Sequence, residues 1–254
     1  MNLNKKEQIS NLLKGIETGD PTSVAVVNED KYIQHNPETH EGSEGLAELF
    51  KRLSKTSPRV NIVRIFEDGD FVFAHTEYDF SHRSIGFEIF RFENGQAVEH
   101  WDNIQERQGP NSTGHTMVDG PTETTDHEMT ESNRMIIRSF VDDVLIHGQL
   151  NKMEDYLNQE QFTEHNPRFG DGFVELRAAL SESNTGDYSI QYKTCHRILA
   201  DGNFILSVCE GFINHKLSSF FDLYRLEGGK VIEHWDTSHI IPDRCKWKNN
   251  NGKF

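Results

Sequence analysis

The chain lacks the features that mark an oxidised or membrane-spanning protein. Cysteine occurs only three times, at Cys195, Cys209 and Cys245. An odd number cannot all pair, and the spacing matches no metal site, so the set fits a reducing compartment. No run approaches the roughly 20 apolar residues of a membrane span. Met1 to Asn11 are polar and hold no apolar signal region. These absences lead to the expectation of a cytoplasmic protein. Positive charge is also scarce: 26 Lys and Arg stand against 41 Asp and Glu, a formal net charge of −15. Nucleic acid and anionic membranes are therefore poor partners. There is no Gly-rich phosphate loop. The nucleophile elbow Gly-x-Ser-x-Gly is missing too, Gly42-Ser43-Glu44-Gly45 being one residue off that spacing. The 13 histidines contain no His-x-x-x-His pair. The expectation is a protein without cofactor or metal.

What the chain does contain is a repeat. Glu99-His100-Trp101-Asp102 recurs as Glu233-His234-Trp235-Asp236. His35-Asn36-Pro37 recurs 130 positions later as His165-Asn166-Pro167. Arg64-Ile65 and Asp68-Gly69 recur 133 later, and Phe90-Arg91-Phe92-Glu93-Asn94-Gly95 is matched 134 later by Tyr224-Arg225-Leu226-Glu227-Gly228-Gly229. Such a period is domain-sized, far beyond the ~20–50 residues of solenoids. It divides the chain into a first copy over 1–107, a linker over 108–130, a second copy over 131–241, and a polar tail over 242–254 expected to fray.

Within each half the helical patterns come first. Ile9, Leu12, Leu13 and Ile16 predict a helix over 5–19, stopped by Gly19. A short helix at 21–27 and a strand at 32–35 follow. Leu46, Leu49, Phe50 and Leu53 predict a third helix over 43–54, with Ser43 as its cap. Strands take over at 60–66, 71–80, 85–92 and 96–105, joined by Asp68-Gly69 and Asn94-Gly95 turns. The second half repeats this, with helices at 131–147, 151–157 and 171–182. Its strands are predicted at 161–165, 188–200, 203–214, 217–227 and 230–239. Helices before antiparallel strands argue an α+β fold: a curved sheet with helices on one face and a cavity between.

The strand ending in Gln34-His35-Asn36-Pro37, the Asp68-Gly69-Asp70 hairpin, and Phe90-Arg91-Phe92-Glu93-Asn94-Gly95 leading into Glu99-His100-Trp101-Asp102 resemble the SnoaL-like polyketide cyclase family, of the nuclear transport factor 2-like superfamily. The resemblance covers both halves. It implies two cone-shaped, cystatin-like α+β barrels forming an intrachain pseudo-dimer, with sheet surface left for a further homodimer. It also implies a pocket for a small hydrophobic molecule. In the cyclases of this family an aspartate on the late strands acts as acid/base in an aldol closure. The resemblance points here to Asp102 and Asp236, with His35 and His165 as assistants.

The residues themselves leave alternatives open. Strand alternation puts Val98, His100, Asp102 and Ile104 on one face, and Glu99, Trp101, Asn103 and Gln105 on the other. The sequence does not say which face meets the cavity. A carboxylate in an apolar pocket can remove a proton beside a carbonyl, since desolvation raises its pKa. The same strand could instead serve an interface, so His100, Trp101, Gln105, His234 and Trp235 are read as pocket or interface residues. His75 is a further candidate; Val208 stands at its place in the second half. The leading expectation is a cofactor-independent acid/base enzyme acting on a small hydrophobic carbonyl compound by aldol-type cyclisation, isomerisation or a lyase step. The alternative is a non-catalytic binding or assembly module.

Overall fold

Asn4 opens helix α1 (Lys5–Thr18) with a reciprocal pair of bonds: its side chain accepts from the Glu7 amide, and the Glu7 carboxylate accepts from the Asn4 amide. Gly19, with φ 68°, ends the helix in the left-handed conformation that glycine adopts without strain. Strand β1 (Ile33–Gln34) and helix α2 (Gly42–Leu53) follow. Ser43 lies inside the first turn of α2 and makes no capping bond, contrary to its expected role. Four antiparallel strands complete the sheet: β2 (Arg59–Asp68), β3 (Phe71–Asp79), β4 (Arg83–Glu93) and β5 (Gln96–Glu106). Asn94 and Gly95, with φ 52° and 81°, make the tight β4–β5 turn. The order is β1-β5-β4-β3-β2, with β1 parallel to β5. The helices cover one face, where Ile9, Leu12, Leu46 and Phe50 pack with Val72, Tyr78 and Phe90.

This computed structural model describes residues 3–181 and 188–254. It divides into one unit of Met1–Glu106 with Pro242–Phe254 and a second of Arg107–Ile241. The second unit contains α3 (Thr130–Phe140), which runs on into a wider π-turn over Val141–Ile146, then α4 (Met153–Tyr156), β6 (Thr163–Glu164) and α5 (Val174–Leu180). Strands β7 (Ile190–Asp201), β8 (Phe204–Ile213), β9 (Lys216–Glu227) and β10 (Lys230–Ile240) follow. Its order, β6-β10-β9-β8-β7, repeats the first. The far end of the helix expected near 171–182 lies outside the described residues. Cys195 and Cys209 are cross-strand partners and both are free.

Two expectations are corrected. Residues 108–130 are not a bare linker: Asn111 and Met117 are buried, and Asn111 Nδ2 donates to the Glu164 carbonyl at 2.7 Å. The tail does not fray. Asn249 donates to the carbonyls of Asn36 and Thr39, Asn251 to that of Gln34, and the Lys248 amide to that of Pro37. These bonds tie the tail to β1 and its turn, where the Asn36 carbonyl accepts from the Thr39 amide as well as from Asn249. Among the described residues no helix is long and apolar enough to cross a membrane.

Candidate functional site

The repeated tetrapeptide is two motifs interleaved. On the helix-free face of the first sheet, the His35 ring stacks on Trp101 with centroids 4.7 Å apart. Glu99 accepts from Arg91 Nε at 2.7 Å and lies 2.9 Å from His35 Nε2, while His35 Nδ1 lies 3.0 Å from the Gly252 carbonyl. On the helix side, His100 and Asp102 face the cavity. A bulge opposite the Arg91/Phe92 step refines the expected alternation: Ala97, not Val98, joins the helix-side core.

The cavity has a volume of about 200 Å³. Leu12, Leu46, Phe50 and Phe80 are among its apolar lining, and Asn36, Tyr78, Glu88, His100 and Asp102 form its polar end. Period two along β4 puts Gly86, Glu88 and Phe90 on this face, with Glu88 directly across from Asp102. His100 Nε2 lies 2.7 Å from Glu88 Oε2, and Nδ1 lies 3.0 Å from Gln34 Oε1. Tyr78 donates its hydroxyl to Glu88 Oε1 at 2.7 Å. Burial and the Glu88 charge raise the Tyr78 phenol well above its usual range, so it stays a donor. Gly86 makes room for this ring: a Cβ there would lie 2.9 Å from Thr76 Oγ1 and 3.0 Å from Tyr78 Cε2.

Asp102 accepts from Asn36 Nδ2 at 2.6 Å. Lys253, brought in by the tail, lies 3.3 Å from Asp102 Oδ1 and donates to the Asp102 carbonyl at 2.6 Å. Burial pushes the Asp102 carboxyl up, but the Lys253 and His100 charges and the bonds from Asn36 and Lys253 outweigh it. The group is held below the usual carboxylate value.

The second unit builds the same network with different chemistry. Asp236 accepts from Asn166 Nδ2 at 2.8 and 2.9 Å. His234 stands between Glu164, at 2.9 Å, and Asp222, at 3.3 Å. Burial opposes the His234 charge, yet Glu164 and Asp222 raise its pKa well above the ordinary value. No lysine pairs with Asp236 among the described residues. Burial, joined by the Asp222 and Glu164 charges and opposed by His234, pushes Asp236 up to about 7. The hydroxyl donor has also moved: Tyr192 of β7 donates to Asp222 at 3.0 Å.

Of the residues singled out from sequence, Asp102 and His100 come together at the cavity, and Asp236 and His234 at the corresponding place. His35 and His165 do not join them. They end strands in which Gln34 and Asn36, or Glu164 and Asn166, point to the network, so the residue between points to the opposite face. Trp101, Trp235 and Gln105 lie on that face too. His75 is also turned away: it stacks on Phe87 at 4.5 Å, and Arg64 Nη1 donates to its Nδ1 at 3.0 Å. A guanidinium only donates, so Nδ1 is unprotonated and the ring neutral. The sequence reading missed Asn36, Tyr78, Glu88 and Lys253. Alternation from Gln34 carried the signal for Asn36; Glu88 stands opposite Asp102 only through the bulged pairing of β4 with β5, and nothing local marked Lys253.

A model of the SnoaL-like domain matches residues 9–100. No curated protein matches the chain in sequence. Among solved structures, TsrD from Streptomyces laurentii is 20% identical with a TM-score of 0.36, covering 41% of this chain and 92% of that one. A nuclear transport factor 2-like protein from Cytophaga hutchinsonii is 14% identical with a TM-score of 0.37, covering 41% and 93%. An epoxide hydrolase from M. tuberculosis is 18% identical with a TM-score of 0.35, covering 39% and 81%. Each unit has the α+β arrangement of one five-stranded sheet with helices packed on it. The family match lies within the first unit, and the second unit repeats its sheet order, its Glu-His-Trp-Asp strand and the buried network beside that strand, as a duplicated domain would.

Proposed function

We propose that the first unit is a cofactor-independent acid/base enzyme acting on a small hydrophobic carbonyl compound. One observation carries the reading: the Asp102 carboxylate stands with His100 and Glu88 at the polar end of a cavity whose other walls are largely apolar. Asp102 is the base that takes a proton from the carbon beside the carbonyl. The Asn36 amide is oriented by Asp102 and by the Glu38 amide, which donates to its Oδ1 at 2.8 Å. It keeps a second proton for the carbonyl oxygen. Asn36 is thus the donor that steadies the enolate, while the Tyr78 hydroxyl gives its one proton to Glu88 and fixes that carboxylate beside His100. The cavity lies below the roughly 300–1,000 Å³ of drug-sized ligand sites, so the substrate is small. Aldol-type closure, isomerisation and lyase steps all begin with this proton transfer.

A second reading has its own support. Lys253 neutralises Asp102 and lowers its basicity, which suits a site that binds without reacting. Hydrogen–deuterium exchange beside the carbonyl of small ketones, followed by NMR, separates the two without knowledge of the natural substrate. The enzyme reading expects exchange above the buffer rate and its loss in Asp102→Asn with the fold retained. Saturable binding without exchange, across cyclic and linear ketones that fit the cavity, would leave the binding module.

A further inference from the structure

The second unit carries another cluster, on the face of its sheet turned away from the buried network. His115 and Asp119 come from the segment before α3, and His165 from the end of β6. One donor atom from each lies within 4.8 Å of the others. His165 Nδ1 is 2.7 Å from Asp119 Oδ1, and His115 Nδ1 is 3.8 Å from Asp119 Oδ2. The Thr116 carbonyl lies 2.8 Å from the same His165 nitrogen. Both histidines therefore turn Nδ1 towards one carboxylate.

The other ring nitrogens are held from behind. His165 Nε2 lies 2.9 Å from Glu233 Oε1, and His115 Nε2 lies 3.2 Å from Asp171 Oδ2. Glu233 is itself fixed by Arg225 Nε at 2.6 Å, and the His165 ring is stacked on Trp235 at 4.6 Å. Metal-binding histidines characteristically donate their second nitrogen to a carboxylate, which sets the tautomer and strengthens the ligand. Here both histidines do so. Ligands at about 2.0–2.1 Å from a tetrahedral ion stand about 3.4 Å apart, within the span of the separations seen here. The first unit shows the contrast. His35 keeps the stacked tryptophan and the glutamate partner, yet its Nδ1 meets the Gly252 carbonyl, and no such cluster forms around it among the described residues.

We propose that His115, Asp119 and His165 form a binding site for one divalent first-row transition metal of the zinc type. Two imidazoles and one carboxylate select such an ion over calcium or magnesium, which take oxygen ligands. His115 is 34% and Asp119 43% exposed at the side chain, so the ion has an entry path and room for a water ligand. Its structural effect is to tie the segment before α3 to the end of β6. His115 and Asp119 are four positions apart, but the second imidazole comes from His165, 46 positions beyond Asp119, which is why no metal spacing was visible in the sequence.

The test uses the full chain, stripped with a chelator and titrated with Co²⁺ by visible absorption and with Zn²⁺ by calorimetry. One equivalent is expected to bind, with a visible band of low-coordinate Co²⁺ and a rise in thermal midpoint. His115→Ala and Asp119→Ala, at partly exposed positions, should lose the band while keeping the far-ultraviolet circular dichroism. Asp171→Asn, behind His115, should weaken binding about 10–100-fold, and His127→Ala, elsewhere on the surface, should not. The proposal is overturned if no ion binds at millimolar concentration, or if the His115→Ala/Asp119→Ala double variant binds as the parent does. It is equally overturned if the band survives in these variants but disappears in Glu88→Gln, which would assign the ion to the other cluster of Glu88, His100 and Asp102.

Discussion

Lys253→Met keeps the aliphatic stem of a side chain only 5% exposed and removes its charge. The lost ammonium lies 3.3 Å from Asp102 Oδ1, and the carboxylate's side chain is 6% exposed. At an effective dielectric constant of about 20 their attraction is about 5 kcal/mol. Desolvation of both ions offsets much of that, but removal of one partner from a buried pair costs about 3–5 kcal/mol, because the other stays buried and charged. The cost depends on pH. In the parent, Asp102 is held below its ordinary pKa, so its contribution is present above the unfolded-state value and lost as pH falls through the folded one. In the variant, burial is opposed only by His100 and Asn36 and drives the pKa upward, as it does at Asp236. That contribution is present in acid and lost as pH rises. The stability gap in urea melts should therefore widen between about pH 5 and pH 8, reaching about 3–5 kcal/mol at the upper end. The Asp102 side-chain carbon resonance should titrate at higher pH than in the parent. A gap that stays constant across this range would mean that Lys253 acts by packing alone, and would refute the electrostatic account.

Two other substitutions probe the same networks. Asp236, pushed from 3.8 up to about 7, stabilises the fold below its unfolded-state pKa and loses that contribution as pH rises through about 7. Asp236→Asn escapes the cost of burying a charge, so its stability in urea melts should gain on the parent as pH rises from about 4 to about 7, by up to roughly 4 kcal/mol, and stay level above that; parallel curves from about pH 4 to about pH 7 would contradict this. Gly86→Ala places a methyl 2.9 Å from Thr76 Oγ1 and 3.0 Å from Tyr78 Cε2. It should cost about 1–3 kcal/mol through overpacking and displace the Tyr78 ring from Glu88; an unchanged melting point together with unchanged ketone binding would show that the glycine is not needed there.

Much of the fold was legible because its causes are local. The spacing of Ile9, Leu12, Leu13 and Ile16 and the stop at Gly19 gave α1, and Asn94-Gly95 gave a hairpin turn because both residues adopt positive φ. Strand alternation grouped His100 with Asp102 correctly. It could not see the bulge at Val98, since a bulge is a property of two paired strands. His35 drew attention as an imidazole beside Asn-Pro, although the same alternation places Asn36, not His35, beside Asp102. The tail was misread for a different reason. Its asparagines and lysines look solvated until the acceptors at β1 and its turn are known, and those acceptors lie more than 200 positions away: Asn251 reaches Gln34 across 217. The asymmetry between the two carboxylates followed the same rule, because it depends on which cation a remote segment delivers.

The return of the tail to the first unit sets an order of events during biosynthesis. Lys253 follows Asp102 by 151 positions. At about 5–20 residues per second, a ribosome needs roughly 8–30 s to cover that distance. Throughout this interval the nascent first unit holds the Asp102 carboxylate without its Lys253 counter-ion and the Gln34 carbonyl without its Asn251 donor.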